Sequence, residues 1–89
     1  MRDGTYLKTA GTFQRIEAVD GYWVAIEETT LETAREGEIL GVWTDPETGR
    51  VWVDRTQFKT HKSVAIATAK AFNQIAIWDN ANQTTISTN

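Results

Sequence analysis

The sequence predicts an α+β fold: two β-hairpins forming a small antiparallel sheet, one helix in the C-terminal half packed on it, and a strand returning to the sheet. The predicted order is β-β-β-β-α-β, with room for one extra short strand at the end. Three observations carry this. Asp20-Gly21 and Asp45-Pro46-Glu47-Thr48-Gly49 each interrupt apolar runs that read as strands, and residues 63–73 are rich in alanine without glycine or proline.

In chain order, residues 1–11 lack periodicity, and Gly4 and Gly11 bracket Tyr6 and Leu7. They read as a loosely ordered N-terminal arm, leaving 12–89 as one α+β domain, since 89 residues suffice for one core and not two. From Thr12, Ile16 and Ala18 alternate with Arg15 and Glu17 up to Asp20-Gly21, and Tyr22-Trp23-Val24-Ala25-Ile26 follows. An Asp-Gly pair tolerates the positive φ of a two-residue hairpin turn. The expected register opposes Val19 to Tyr22, Ala18 to Trp23 and Ile16 to Ala25. Both faces of this hairpin are partly apolar, so the sequence leaves open which one meets the core.

Residues 29–37 fit either a short helical turn, with Thr29 and Glu32 as a capping box and Gly37 after its end, or a solvated acidic connection. The second hairpin runs from Ile39 to Asp54. Proline suits the start of its turn and Gly49 its left-handed return, which pairs Asp45 with Arg50, Thr44 with Val51, Trp43 with Trp52 and Val42 with Val53. Leu40, Val42, Val51 and Val53 then form an aliphatic face suited to the helix, and alternation turns Trp43 and Trp52 the other way.

The helix over 63–73 has Ser63 or Thr60 as its N-cap and an expected side of Val64, Ala67, Thr68, Ala71 and Ile75, adjoined by Ala65, Ala69 and Phe72. Residues 75–79 read as the returning strand, 80–83 as a turn and 84–87 as a short final strand.

Charge is uneven. The net charge is −3, but residues 17–47 hold nine acids against Arg35 alone, whereas 48–89 hold five bases against two acids. The chain has no cysteine, which excludes disulfides and thiolate chemistry and suits a reducing cytoplasm. Neither a leader-like start nor a spanning apolar run is present, so a cytoplasmic protein without membrane association is expected.

Catalysis needs a nucleophile, acid or base beside a group that tunes it. The one histidine, His61, has only Thr60 and Ser63 nearby, and these suit a helix start. The paired acids match no metal-binding spacing, and the glycines form no phosphate-cradling loop. The expectation is therefore a non-enzymatic chain with no metal and no cofactor.

Four tryptophans in 89 residues are the compositional anomaly. All four can be core. If the side of hairpin two bearing Trp43 and Trp52 is uncovered, those rings with Arg50, Asp45 and Asp54 make a protein-binding surface of the kind that interface hot spots favour. An alternative uses Arg50, Trp52, Arg55, Phe58, Lys59 and Lys62, bases interleaved with stacking aromatics, to hold single-stranded nucleic acid. The acidic middle of the chain opposes nucleic acid as a partner. A third reading pairs exposed sheet edges into a homodimer.

The stretch Gly41-Val42-Trp43-Thr44-Asp45-Pro46-Glu47-Thr48-Gly49, with Val53-Asp54 and Asn73-Gln74-Ile75-Ala76-Ile77-Trp78-Asp79, resembles small proteins encoded by bacterial phages and other mobile elements. The resemblance covers roughly the last half of the chain. It implies a context, the binding and redirecting of a host bacterial protein, and assigns no functional residue.

Overall fold

The computed structural model describes all 89 residues. It contains seven strands and one helix: β1 Gly4–Thr9, β2 Thr12–Ile16, β3 Tyr22–Glu28, β4 Ile39–Thr44, β5 Val51–Lys59, α1 Lys62–Ala71, β6 Ala76–Asp79 and β7 Thr84–Ser87. The strands form an antiparallel sheet in the order β2-β1-β4-β5-β3-β6-β7, a larger sheet than two hairpins provide. Contacts gather into two compact units, residues 1–17 with 27–55 and residues 18–26 with 56–89.

In the first unit, residues 4–9 are a strand with neighbours on both sides, where a loosely ordered arm with at most a short strand is expected. β1 turns through Ala10-Gly11 into β2, with Thr9 opposite Thr12 and Gly11 at φ +81°, and its other edge pairs with β4 from Gly4–Val42 to Leu7–Ile39. The alternation that marks a half-buried strand is weak in Gly4–Thr9, because its burial comes from non-local neighbours. Beyond β1, Lys8 N–H donates to the Glu38 carbonyl and Gly37 N–H to the Lys8 carbonyl. Residues 29–37 form turns without a helix. The side chain that accepts the local N–H, that of Thr33, is Thr30, and the capping box from Thr29 to Glu32 does not form.

Hairpin two folds in the predicted register: Val42 faces Val53, Trp43 faces Trp52, Thr44 faces Val51, and Asp45 N–H donates to the Arg50 carbonyl. One face of this unit holds its core, Tyr6, Leu40 and Val42, none more than 7% exposed. The expected aliphatic face is thus correct at Leu40 and Val42. It fails at Val51, which lies next to the turn and is exposed.

The first predicted hairpin does not form. β2 pairs with β1, so Ile16 lies opposite Thr5, and Trp23 lies opposite Trp78 of β6. Residues 17–21 connect two strands far apart in the sheet order, and Val19 is exposed. Asp20-Gly21 misled because positive φ serves other purposes than a hairpin. Gly21 has φ +74°, and a Cβ there would lie 2.3 Å from Phe58 Cζ. Glycine is needed for the approach of that ring.

The second unit has its own core of Val24, Ile26, Ala65, Ala69 and Ile77, with Tyr22, Ile66 and Ile86 against it. α1 buries Ala65 and Ala69 fully, one helical turn apart, and small side chains there admit close packing. The side expected from Val64 to Ile75 is not the buried one: Val64 and Ile75 are exposed. A nearly all-apolar circumference gave periodicity little to choose between. His61 is the N-cap and makes no side-chain cap bond. The helix ends with Asn73 at φ 58°, Gln74 N–H donating to the Ala69 carbonyl and Asn73 N–H to that of Lys70, a Schellman ending with asparagine in the left-handed position. That ending sends the chain into β6. β6 pairs with β7 from Ala76–Ser87 to Asp79–Thr84, and Asp79 ties the turn by accepting from the Ala81 and Asn82 N–H groups and the Asn82 amide.

Gly49 also has positive φ, yet a Cβ there would meet nothing within 4 Å. Gly49→Ala is therefore expected to cost about 1 kcal/mol for the left-handed backbone, and Gly21→Ala roughly 1 to 3 kcal/mol beyond that for the displaced ring. Chemical denaturation of both variants checks the difference; equal losses would contradict the role given to Phe58.

Candidate functional site

The face of the first unit opposite Tyr6 and Leu40 holds Leu7, Ile16, Ile39, Trp43 and Trp52, none of them buried. Its most developed part is the end nearest the hairpin turn. Direct pairing of Trp43 with Trp52 stacks their rings at 6.0 Å between centroids and 11° between planes. Trp43 remains 47% exposed. The Arg50 guanidinium lies 3.7 Å from the Trp52 ring centroid, and its Nη2 is 3.1 Å from Glu28 Oε1. Exposed contacts of this kind contribute about 0.5–1 kcal/mol each, so they orient the guanidinium more than they hold the fold.

Asp54 shares the tryptophan face by alternation, and the Trp43 indole N–H donates to its carboxylate. Its pKa is nevertheless raised, first by partial burial and then by the Glu28 charge, and the Trp43 bond opposes both. Trp52 Nε1 is enclosed and has no partner. Asp45 serves the turn: one carboxylate oxygen accepts the Glu47 N–H at 2.8 Å and its carbonyl accepts from Gly49. Of the five residues the sequence nominates, the structure gathers Trp43, Trp52, Arg50 and Asp54 at one place and puts Asp45 in the adjoining turn.

Two residues of this corner escape the sequence reading. Asp3 accepts from Thr44 Oγ1 at 2.9 Å and from Thr44 N–H at 3.2 Å, and Glu28 holds Arg50. Their positions follow from β1 pairing with β4 and β3 lying beside β5, neither of which has a local signal.

The basic-aromatic segment is dispersed. Arg55 projects from the opposite face of β5 to Trp52, where its guanidinium bonds Glu27 and, at 2.7 Å, Glu38. Phe58 belongs to the second unit, packed edge-on to Trp23 at 5.2 Å and 66°. Lys59 and Lys62 also lie in that unit, Lys62 opening α1 near Asp79. Trp23 and Phe58 make a second aromatic contact, and Trp78 lies opposite Trp23 in the β3–β6 pair, an arrangement with no local signal in the sequence.

No group of three or more histidine and carboxylate side chains gathers so as to hold a metal ion, and no helix is long and apolar enough to cross a membrane. Fold and site define a small antiparallel-sheet α+β protein that displays an aromatic stack flanked by carboxylates. No family model, curated protein or solved structure matches the chain.

The two faces differ in pH response. Glu38 is held below the ordinary carboxylate range, mainly by the Arg35 N–H and also by Arg55, so its stabilisation is present above its unfolded pKa and lost as pH falls through the folded value. Asp54 has the opposite sign: stability declines as pH rises from its unfolded pKa through the raised folded one. Glu38→Gln should lower the melting temperature at pH 7 and flatten its acid dependence. Asp54→Asn should raise it at pH 7 and leave it unchanged near pH 2. Thermal melts across pH 2–8 check both signs.

Proposed function

We propose that this chain is a small non-enzymatic protein-interaction module that binds its partner through the Trp43–Trp52 face. The observation that supports this most is the half-exposed Trp43 stacked on Trp52 and next to Arg50, since tryptophan and arginine are the side chains most enriched at interface hot spots. A partner would bury the outer face of Trp43, and Arg50 and Asp54 would select its orientation. The resemblance to phage-encoded and mobile-element proteins makes a host bacterial protein the candidate partner, modulated by being bound. Single-stranded nucleic acid has less support, because Arg55 is neutralised by Glu27 and Glu38 on the opposite face from Trp52.

Capture from a bacterial lysate on the immobilised chain tests this reading. Trp43→Ala is expected to reduce retention of the specific partner at least about tenfold, as for a hot-spot residue, while costing about 0.5–1.5 kcal/mol of stability for the lost ring pair. Val51→Ala, on the opposite face, should retain the partner fully. Retention that is the same with Trp43→Ala as with the parent chain would sink the proposal.

A further inference from the structure

The aromatic stack is capped at one end and open at the other. Strand order puts β4 on one side of β5 and β3 on the other. Trp43 reaches Trp52 from β4, whereas Arg50 extends to Glu28 at the end of β3, so the guanidinium covers the side of Trp52 away from Trp43. Beyond β4, on the side away from β5 and Trp52, the next strand is β1. Continuing the Gly4–Val42 register by one residue brings Asp3 opposite Trp43, and the Asp3 carboxylate accepts from the N–H and Oγ1 of the adjacent Thr44. The Asp54 carboxylate sits at the indole N–H.

The charge of this corner is one-sided. In the segments that contribute to it, residues 1–3, 28 and 43–54, Arg2 and Arg50 stand against Asp3, Glu28, Asp45, Glu47 and Asp54. Arg50 is engaged with Trp52 and Glu28, and Arg15 donates to the Asp3 carbonyl from the face that carries Tyr6. An exposed indole face bordered by carboxylates attracts a cation through the ring quadrupole and the charges together. A planar guanidinium satisfies both, because it stacks on the ring while its edge N–H groups reach carboxylate oxygens; an ammonium is more strongly hydrated and has no plane to stack. Phosphates are repelled by the same acids.

We propose that the free face of Trp43 receives an arginine side chain from a basic segment of the partner protein, completing a four-layer stack of guanidinium, Trp43, Trp52 and Arg50. Asp3 and Asp54 pair with the incoming guanidinium. This rests on the protein-interaction reading above and names the chemistry that reading leaves open.

The test is a titration of the isotopically labelled full chain, followed at its tryptophan indole N–H resonances, with capped pentapeptides alternating glycine and arginine. Matched peptides carry lysine, or citrulline as the neutral isostere. The arginine peptide should shift the Trp43 resonance saturably, the lysine peptide should bind at least about threefold more weakly, and the citrulline peptide at least about tenfold more weakly. Asp54→Asn should weaken arginine binding about threefold or more. In Trp43→Ala, the response of the remaining indoles to the arginine peptide should disappear.

Equal binding of citrulline and arginine would overturn the proposal in favour of a neutral ligand. No saturable shift, or binding that survives Trp43→Ala, would overturn it as well. The two readings fail separately. Partner capture that depends on Trp43 without any arginine preference removes the guanidinium and keeps the interaction module, whereas capture indifferent to Trp43 removes the module itself.

Discussion

The main-chain pairing of β1 along both of its edges is the constraint on which the first unit depends. A buried strand must satisfy its N–H and C=O groups, and β1 does so by bonding β2 on one side and β4, more than thirty residues away, on the other. That pairing puts Tyr6 beside Leu40 in the core, fixes the acidic connection through Lys8 and Glu38, and carries Asp3 to Thr44 at the end of the tryptophan stack. Closing so long a loop costs entropy that only the completed set of bonds offsets.

Hairpin two then sorts its side chains by alternation. On one face, Leu40 and Val42 are buried beside Arg55, whose charge is met by Glu27 and Glu38. On the other, Asp54 is partly buried with the Glu28 charge nearby, so its charge is disfavoured where that of Glu38 is favoured. Two acids of one small unit are thus driven in opposite directions by their partners. Glu38 holds the Arg35 N–H and the Arg55 guanidinium together, and Asp54 lies beside the exposed indole.

The second unit solves a different packing problem. Its helix contributes alanines to the core, so volume comes from Val24, Ile26 and Ile77 on the strands. Alternation then directs Trp23 and Trp78 away from that core, where Phe58 meets Trp23 over the bare backbone of Gly21. Four tryptophans in so small a chain become intelligible as two cross-strand pairs, Trp43 opposite Trp52 and Trp23 opposite Trp78, one in each unit, rather than as a single packed core.

The sequence by itself determined what depends on neighbours along the chain. It specified the register of hairpin two, because Pro46 and Gly49 restrict the turn and the turn sets the pairing. It likewise specified the strand, turn and strand from residue 75 to 87 and the presence of α1. From that register alone came the grouping of Trp43, Trp52, Arg50 and Asp54. Only the tertiary structure decided that β1 is an interior strand, that Asp20-Gly21 is a connection, that Ala65 and Ala69 form the inner side of α1, and that Asp3 and Glu28 complete the aromatic corner. Each of these turns on which distant strand supplies the missing hydrogen bonds, and pairing partners of that kind leave no trace in local periodicity.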